Sequence, residues 1–259
     1  VLMYYPLGNA RETYTLPEST LSVSKDAFWE SDLKSITLND ALLEIGETAF
    51  YDCKLLETVT FGNSLQKIGT GAFCSNTSLK AVNIPETVSY IGESAFLNCT
   101  SLSDFTVPAQ ITEIPTSICE NCTQIKEIHI PATVTDIDGR AFAGCTSLEK
   151  VAVDAVLPPL CYYEDESDTN TPFADVAVAN VLLVVPEASI EKYKSAKVWK
   201  NFKFNNTTAI DGLANGNKQV VKTVYTDLAG KHVERPLCGI YIKKEIFSDG
   251  STKTTKTIM

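Results

Sequence analysis

Isoleucine recurs at Ile45, Ile68, Ile91, Ile114 and Ile137, one every 23 residues. Five places on from each stand Phe50, Phe73, Phe96, Cys119 and Phe142, preceded by alanine except at Ile118. Further columns follow in step: Leu56, Leu79, Leu102, Ile125 and Leu148, then Val59, Val82, Phe105, Ile128 and Val151. Two residues beyond the last of these come Phe61, Ile84, Val107, Ile130 and Val153. A shorter unit precedes them (Val23, Ala27, Phe28, Leu33, Ile36, Leu38), and before that lies half a unit, "YTLP" at 14–17.

A unit of this length cannot bury its apolar side alone, whereas stacked units share one continuous core. With 44% apolar residues the chain has the material for that core. The "V-x-I" segments alternate with the period of a strand, so the residues between and beside the apolar ones face outward. Pro85, Pro108 and Pro131 stop the strand directly after it. In "IGxxAF" the glycine is expected to permit a tight second turn, with Ala where coils crowd and Phe filling the interior. Repetition stacks parallel strands about 4.8 Å apart. The expected fold is a repeat solenoid.

These columns, and the stretches "IGTGAFCSNTSLKAVNIP" at 68–85 and "IGESAFLNCTSLSDFTVP" at 91–108, resemble the BspA-type leucine-rich repeat family of bacterial surface proteins. The resemblance covers about residues 11–204. It implies a right-handed β-α/β superhelix of 23-residue repeats with a parallel sheet, although here a Cys precedes the strand leucine. After Val153 the period breaks at "DAVLPPLCYYEDESDTNTPF", then Phe173 resumes the Phe column and "LLVVP" at 182–186 the strand-proline signal. A short helix is expected from about Ser189, with Ile190, Tyr193, Trp199 and Phe202 closing the last coil, in keeping with the family's "VP…Y…W…F" ending.

Polar, Gly- and Asn-rich residues 205–218 read as a linker from the solenoid of 1–204 to a small β-domain at 219–259. There "DG" at 249–250 predicts a hairpin. "VYTDLAGKHV…GIYI" is similar to the small C-terminal β-domain of exported Bacteroidetes proteins. The resemblances together imply an extracellular or outer-surface location, with an export signal removed ahead of Val1.

The candidate chemistry is thin. "GESAF" lacks the second glycine of a nucleophile elbow, and the Ser94 column reads Thr48, Gly71, Ser94, Ser117, Arg140. Cys53, Cys99, Cys122 and Cys145 share one column with Asn76, and Cys119 sits in the Phe column, so "CENC" at 119–122 reads as two core positions. Parallel side-chain vectors on neighbouring coils suit disulfides poorly. His129 and His232 are far apart in sequence and form no metal motif. "EDESDTN" at 164–170 has the flavour of a calcium loop, but Asn170 and Val176 stand where Gly and Glu are needed, which favours an exposed acidic insertion. No cofactor or metal is expected.

Net charge is −10, and residues 1–204 alone carry −13, which disfavours nucleic acid and anionic membranes. No apolar run is long enough to span a bilayer. Outward positions on six successive coils read Ser35/Thr37, Thr58/Thr60, Ala81/Asn83, Asp104/Thr106, Glu127/His129 and Lys150/Ala152. The candidate binding residues are Thr37, Thr60, Asn83, Thr106 and His129, with Asp104, Glu127 and Lys150 adding charge at one end. The resemblance implies a host or matrix protein as partner, and the continuous outward face leaves room for an extended glycan as the second choice, which makes the chain a non-enzymatic binding or adhesion module. A structural spacer is the rival reading. A glycan hydrolase using Asp104 and Glu127 is the third, and lacks an expected cleft.

Overall fold

The computed structural model describes residues 1, 2, 5, 11–162 and 170–204, together with the strands Val220–Thr226, His232–Val233, Ile240–Phe247 and Thr252–Ile258. The chain divides into two compact units, Val1–Asn205 and Asn206–Met259.

The first unit is a solenoid built on two parallel ladders. One is formed by the "V-x-I" segments: Thr13–Thr15, Ser35–Thr37 and Thr58–Thr60, then Asp104–Thr106, Glu127–Ile130, Lys150–Val153, Leu182–Val184 and Lys203–Phe204. Their register advances one coil per strand, as in Thr37↔Thr60 and Glu127↔Lys150. The second ladder uses the residues just before the "IG" glycines: Ser22–Val23, Glu44–Ile45, Lys67–Ile68 and Tyr90–Ile91, then Glu113–Ile114, Asp136–Ile137 and Leu160–Cys161. Between the ladders the chain runs through turns that bond to the next coil, for example Phe50 N–H to the Ala72 carbonyl at 2.7 Å.

Every repeating apolar column is inside, save that Phe61 and Ile84 are only partly buried. The phenylalanines form a stack, with ring centroids 4.7 Å apart for Phe28–Phe50, 5.0 Å for Phe50–Phe73 and 5.4 Å for Phe73–Phe96. Cys119 interrupts it, and Phe105 of the strand column leans into the freed space, 5.5 Å from Phe96 and 6.5 Å from Phe142. A small residue in one column is thus matched by a large one in the next, which keeps packing density.

The glycines of "IG" are needed for a different reason from the one the turn suggested. A Cβ at Gly46, Gly69 or Gly92 would lie 2.6, 2.6 or 2.4 Å from backbone nitrogen of the preceding coil, so glycine is required by the closeness of the coils. Left-handed backbone falls elsewhere, at Thr48, Gly71, Ser94, Ser117 and Arg140 (φ from 51 to 59°), and again at Asp52, Ser75, Asn98, Asn121 and Gly144. Non-glycine residues there each cost about 1–2 kcal/mol, a cost offset by the coil-to-coil bonds made around them.

Both ladders are interrupted in the middle of the solenoid, against the expectation of one unbroken sheet. In the second ladder, Gly46, Gly69 and Gly92 N–H donate to the Val23, Ile45 and Ile68 carbonyls at 2.8–2.9 Å. The next such position is Pro115, which has no N–H, and no strand pairing joins Tyr90–Ile91 to Glu113–Ile114. In the first ladder the coil at 81–83 keeps a single bridge, Thr58↔Ala81, and forms no strand.

At the C-terminal end Phe173 rejoins the stack 5.5 Å from Phe142, and Tyr193, Trp199 and Phe202 close the core. The helix Ile190–Ser195 follows a 3-10 turn at Glu187–Ser189, and Ile190 itself is only half-buried. The second unit contains a four-stranded antiparallel sheet in the order His232–Val233, Val220–Thr226, Ile240–Phe247, Thr252–Ile258. The last two strands pair from Ile246↔Thr252 to Ile240↔Ile258, as a hairpin requires. The expected linker at 205–218, the "DG" turn at 249–250 and the acidic stretch 164–169 lie outside the described residues.

Candidate binding face

The first ladder presents the candidate residues in two outward columns. Thr37, Thr60, Asn83, Thr106, Asp104 and Glu127 are exposed, and His129 and Lys150 are half-buried among them. Register sets Thr37 beside Thr60 and Asp104 beside Glu127 on adjacent strands. Thr106 lies beside His129. Asn83 belongs to the interrupted coil and stands outside any strand, so the face is two ladder segments rather than one run of six coils.

The charges are not free. Lys150 Nζ lies 3.0 Å from Glu127 Oε2, and His129 Nε2 lies 2.8 Å from Asp154 Oδ2. Asp104 accepts a hydrogen bond from Ser103 Oγ at 2.7 Å. The same device recurs elsewhere: Lys34–Glu12 at 2.7 Å, Lys67–Glu44 at 2.8 Å and Lys25–Glu47 at 2.8 Å. These exposed pairs each contribute about 0–1 kcal/mol. The sequence reading did not anticipate them, nor Asp154 as the partner of His129. For the lysine–glutamate pairs the signal was present, because opposite charges stand one coil apart, whereas Asp154 lies two residues beyond the position opposite His129.

The neutral residues behave differently. Several threonines and serines on the turns donate to carbonyls of the coil before: Thr87 to Leu65 at 2.7 Å, Ser101 to Thr77 at 2.6 Å, Thr123 to Thr100 at 3.4 Å. On the sheet face, the side chains of Thr37, Thr60, Asn83 and Thr106 have no hydrogen-bond partner among the described residues. Their donors and acceptors point to solvent from a backbone already fixed. Asp104 and Glu127 are neighbours, but neither lines the grooves at Pro158–Trp199, Leu43–Gln110 or Thr171–Asn201, and Lys150 holds Glu127.

The thiols are structural. Cys53, Cys99, Cys122 and Cys145 donate Sγ–H to carbonyls of the coil before, Phe28, Phe73, Phe96 and Cys119, at 3.0–3.3 Å. Asn76, their replacement, accepts from Cys53 N–H at 2.8 Å. Burial pushes the thiols up, Cys53 to about 11 and Cys161 to about 12, with Cys99 and Cys119 also well raised. Protonated, buried thiols are poor nucleophiles. No group of three or more His, Cys, Asp or Glu that could hold a metal ion occurs among the described residues. There too, no helix is long and apolar enough to cross a membrane.

Residues 12–154, more than half of the chain, match the BspA-type leucine-rich repeat region in six copies. The chain belongs to the BspA-type leucine-rich repeat family. Comparison with curated protein sequences returns no match. Among solved structures, the leucine-rich repeat protein of T. pallidum is similar, with 23% identity, a TM-score of 0.53, and 59% of this chain and 82% of that one covered. The pneumococcal vaccine antigen PcpA aligns at 24% identity and a TM-score of 0.54, over 72% of this chain and 44% of PcpA. A leucine-rich cell surface protein of Faecalibacterium prausnitzii aligns at 24% identity with a TM-score of 0.47. At these identities the T. pallidum protein and PcpA show the leucine-rich repeat fold alone, a fold compatible with a binding module.

Proposed function

We propose that this chain is a non-enzymatic binding module of the bacterial surface or of a secreted protein, and that the first-ladder face takes a protein partner. The observation that carries the reading is the contrast among hydroxyls. Several of those on the turns, Thr87, Ser101 and Thr123 among them, are consumed in bonds between coils, whereas Thr37, Thr60, Asn83 and Thr106 keep their polar atoms open to solvent on the sheet face. Short side chains on a fixed backbone lose little entropy on binding. Asp104, Glu127, His129 and Lys150 then add a charged but internally balanced end, suited to fixing orientation. The partner class is a host or matrix protein, with an extended glycan second, and the location is extracellular or on the outer surface. Residues 1–204 form the binding body, 205–218 a linker and 219–259 a separate small domain.

The test is a pull-down from extracellular-matrix extract together with a glycan array, followed by titration of the captured ligand. Thr60→Arg and Thr106→Arg should each weaken saturable binding without lowering the melting temperature, since both positions are exposed. Unchanged affinity in both would move the site elsewhere. Absence of any saturable ligand would favour a spacer.

A further inference from the structure

The irregular segment between the last regular coil and the C-terminal cap has its backbone turned inward. Tyr193 Oη donates to the Ala155 carbonyl at 2.8 Å and to the Leu157 carbonyl at 3.4 Å, and Trp199 Nε1 donates to the Pro159 carbonyl at 2.9 Å. Ala155, Tyr193 and Trp199 are buried. With these carbonyls held by the cap, the neighbouring side chains are displayed outward: Val156, Leu157, Leu160 and Tyr162 are 58, 66, 60 and 53% exposed. Beside them runs a groove of about 450 Å³, walled by Pro158–Tyr162 on one side and by Lys192 and Ser195–Trp199 on the other. That volume falls within the range of ligand-binding clefts. Among the described residues its lining carries no carboxylate, and Lys192 stands exposed on its rim.

We propose that this groove docks an extended peptide segment of a partner protein, with aliphatic or aromatic side chains flanked by carboxylates. The exposed apolar cluster supplies burial, and such clusters mark interaction sites. The Lys192 ammonium at the rim selects for acidic neighbours and against basic ones. The apolar side chains stand on backbone already bonded to the cap, so docking orders little new chain. The concave wall fits a peptide better than a flat lipid surface. None of the first-ladder residues takes part.

Selection of a random-peptide display library on the full chain tests this, with the Leu157→Asp/Leu160→Asp double variant as counter-target. Enriched peptides should combine apolar anchors with Asp or Glu. Their labelled synthetic copies should bind the native chain at least about tenfold tighter than the double variant or Lys192→Glu, about 1.4 kcal/mol. Affinity should fall with added salt and survive Thr60→Arg. The changed positions are exposed, and Lys192→Glu carries the test alone if the double variant melts early. Enriched peptides without carboxylates, no enrichment over the variant, or equal affinity for all forms would overturn the proposal. So would co-sedimentation with phosphatidylserine vesicles that the double variant loses while no peptide is enriched.

Discussion

Ser94 sits at φ 55° with no side-chain hydrogen bond among the described residues, and it belongs to a column that is left-handed in every regular coil. Replacing it by glycine removes a cost of about 1–2 kcal/mol in the fold and adds about 0.5–1 kcal/mol of unfolded-state entropy. Ser94→Gly should therefore stabilise by about 0.5–1 kcal/mol. The reverse change, Gly144→Ala, puts a Cβ 2.5 Å from Asn121 Oδ1 at φ 70° and should destabilise. Denaturant titration of both variants checks the pair, and a gain from Gly144→Ala would refute the backbone argument. Phe96→Ala should cost about 3–5 kcal/mol, because a buried ring stacked on Phe73 and met edge-on by Phe105 leaves a cavity that rigid coils cannot close.

Cys53 gives a pH dependence. Its folded thiol is raised from 9.0 to about 11, chiefly by burial, so above pH 9 the unfolded chain releases a proton that the folded chain retains. That favours unfolding, and the contribution is whole below pH 9 and lost as pH rises to 11. Cys53→Ala should flatten the alkaline fall in stability by about 2 kcal/mol across that window. Parallel slopes for the native chain and the variant between pH 9 and 11 would count against it.

At the scale of elements, the cap acts through two side-chain donors. Tyr193→Phe and Trp199→Phe each remove a donor to a buried carbonyl and should cost about 1–3 kcal/mol. They should also expose the 155–160 segment to proteolysis at native pH, whereas an unchanged cleavage pattern would mean that the segment is held some other way. The ladders make a second prediction. Amides of the coil at 80–84 should exchange with deuterium sooner than those of Thr58–Thr60 or Glu127–Ile130, since this coil keeps only one bridge. Equal protection across the three would contradict the interruption.

For the whole molecule, the stability of stacked coils is a sum of unit and neighbour-interface contributions. The middle interfaces of the solenoid lack strand pairing in both ladders, at 81–83 and between Ile91 and Glu113. Apolar packing continues across them through Phe73, Phe96 and Phe105. Removing that packing with Phe96→Ala should split the thermal transition of the solenoid into two, with the N-terminal and C-terminal coils melting separately. A single shifted transition would show that core packing elsewhere still couples them.

Stacked coils, the buried columns and the closing role of Tyr193, Trp199 and Phe202 were legible in the residues, because a core shared between identical units imposes the same residue type at the same interval. The outward direction of Thr37, Thr60 and Thr106 followed from strand alternation for the same reason. Pro115 was visible too, but its effect depends on a donor that only pairing with Ile91 defines. The reason for the "IG" glycines, the left-handed columns and the pairing of His129 with Asp154 are distances between coils, and a one-dimensional period carries no distance across the stack. The outward display of Leu157 and Leu160 is set by where the cap's donors fall on the segment before it. Periodicity determined what is inside and which strand residues face out; the meeting of segments that are not periodic determined which apolar side chains stay exposed beside the cap.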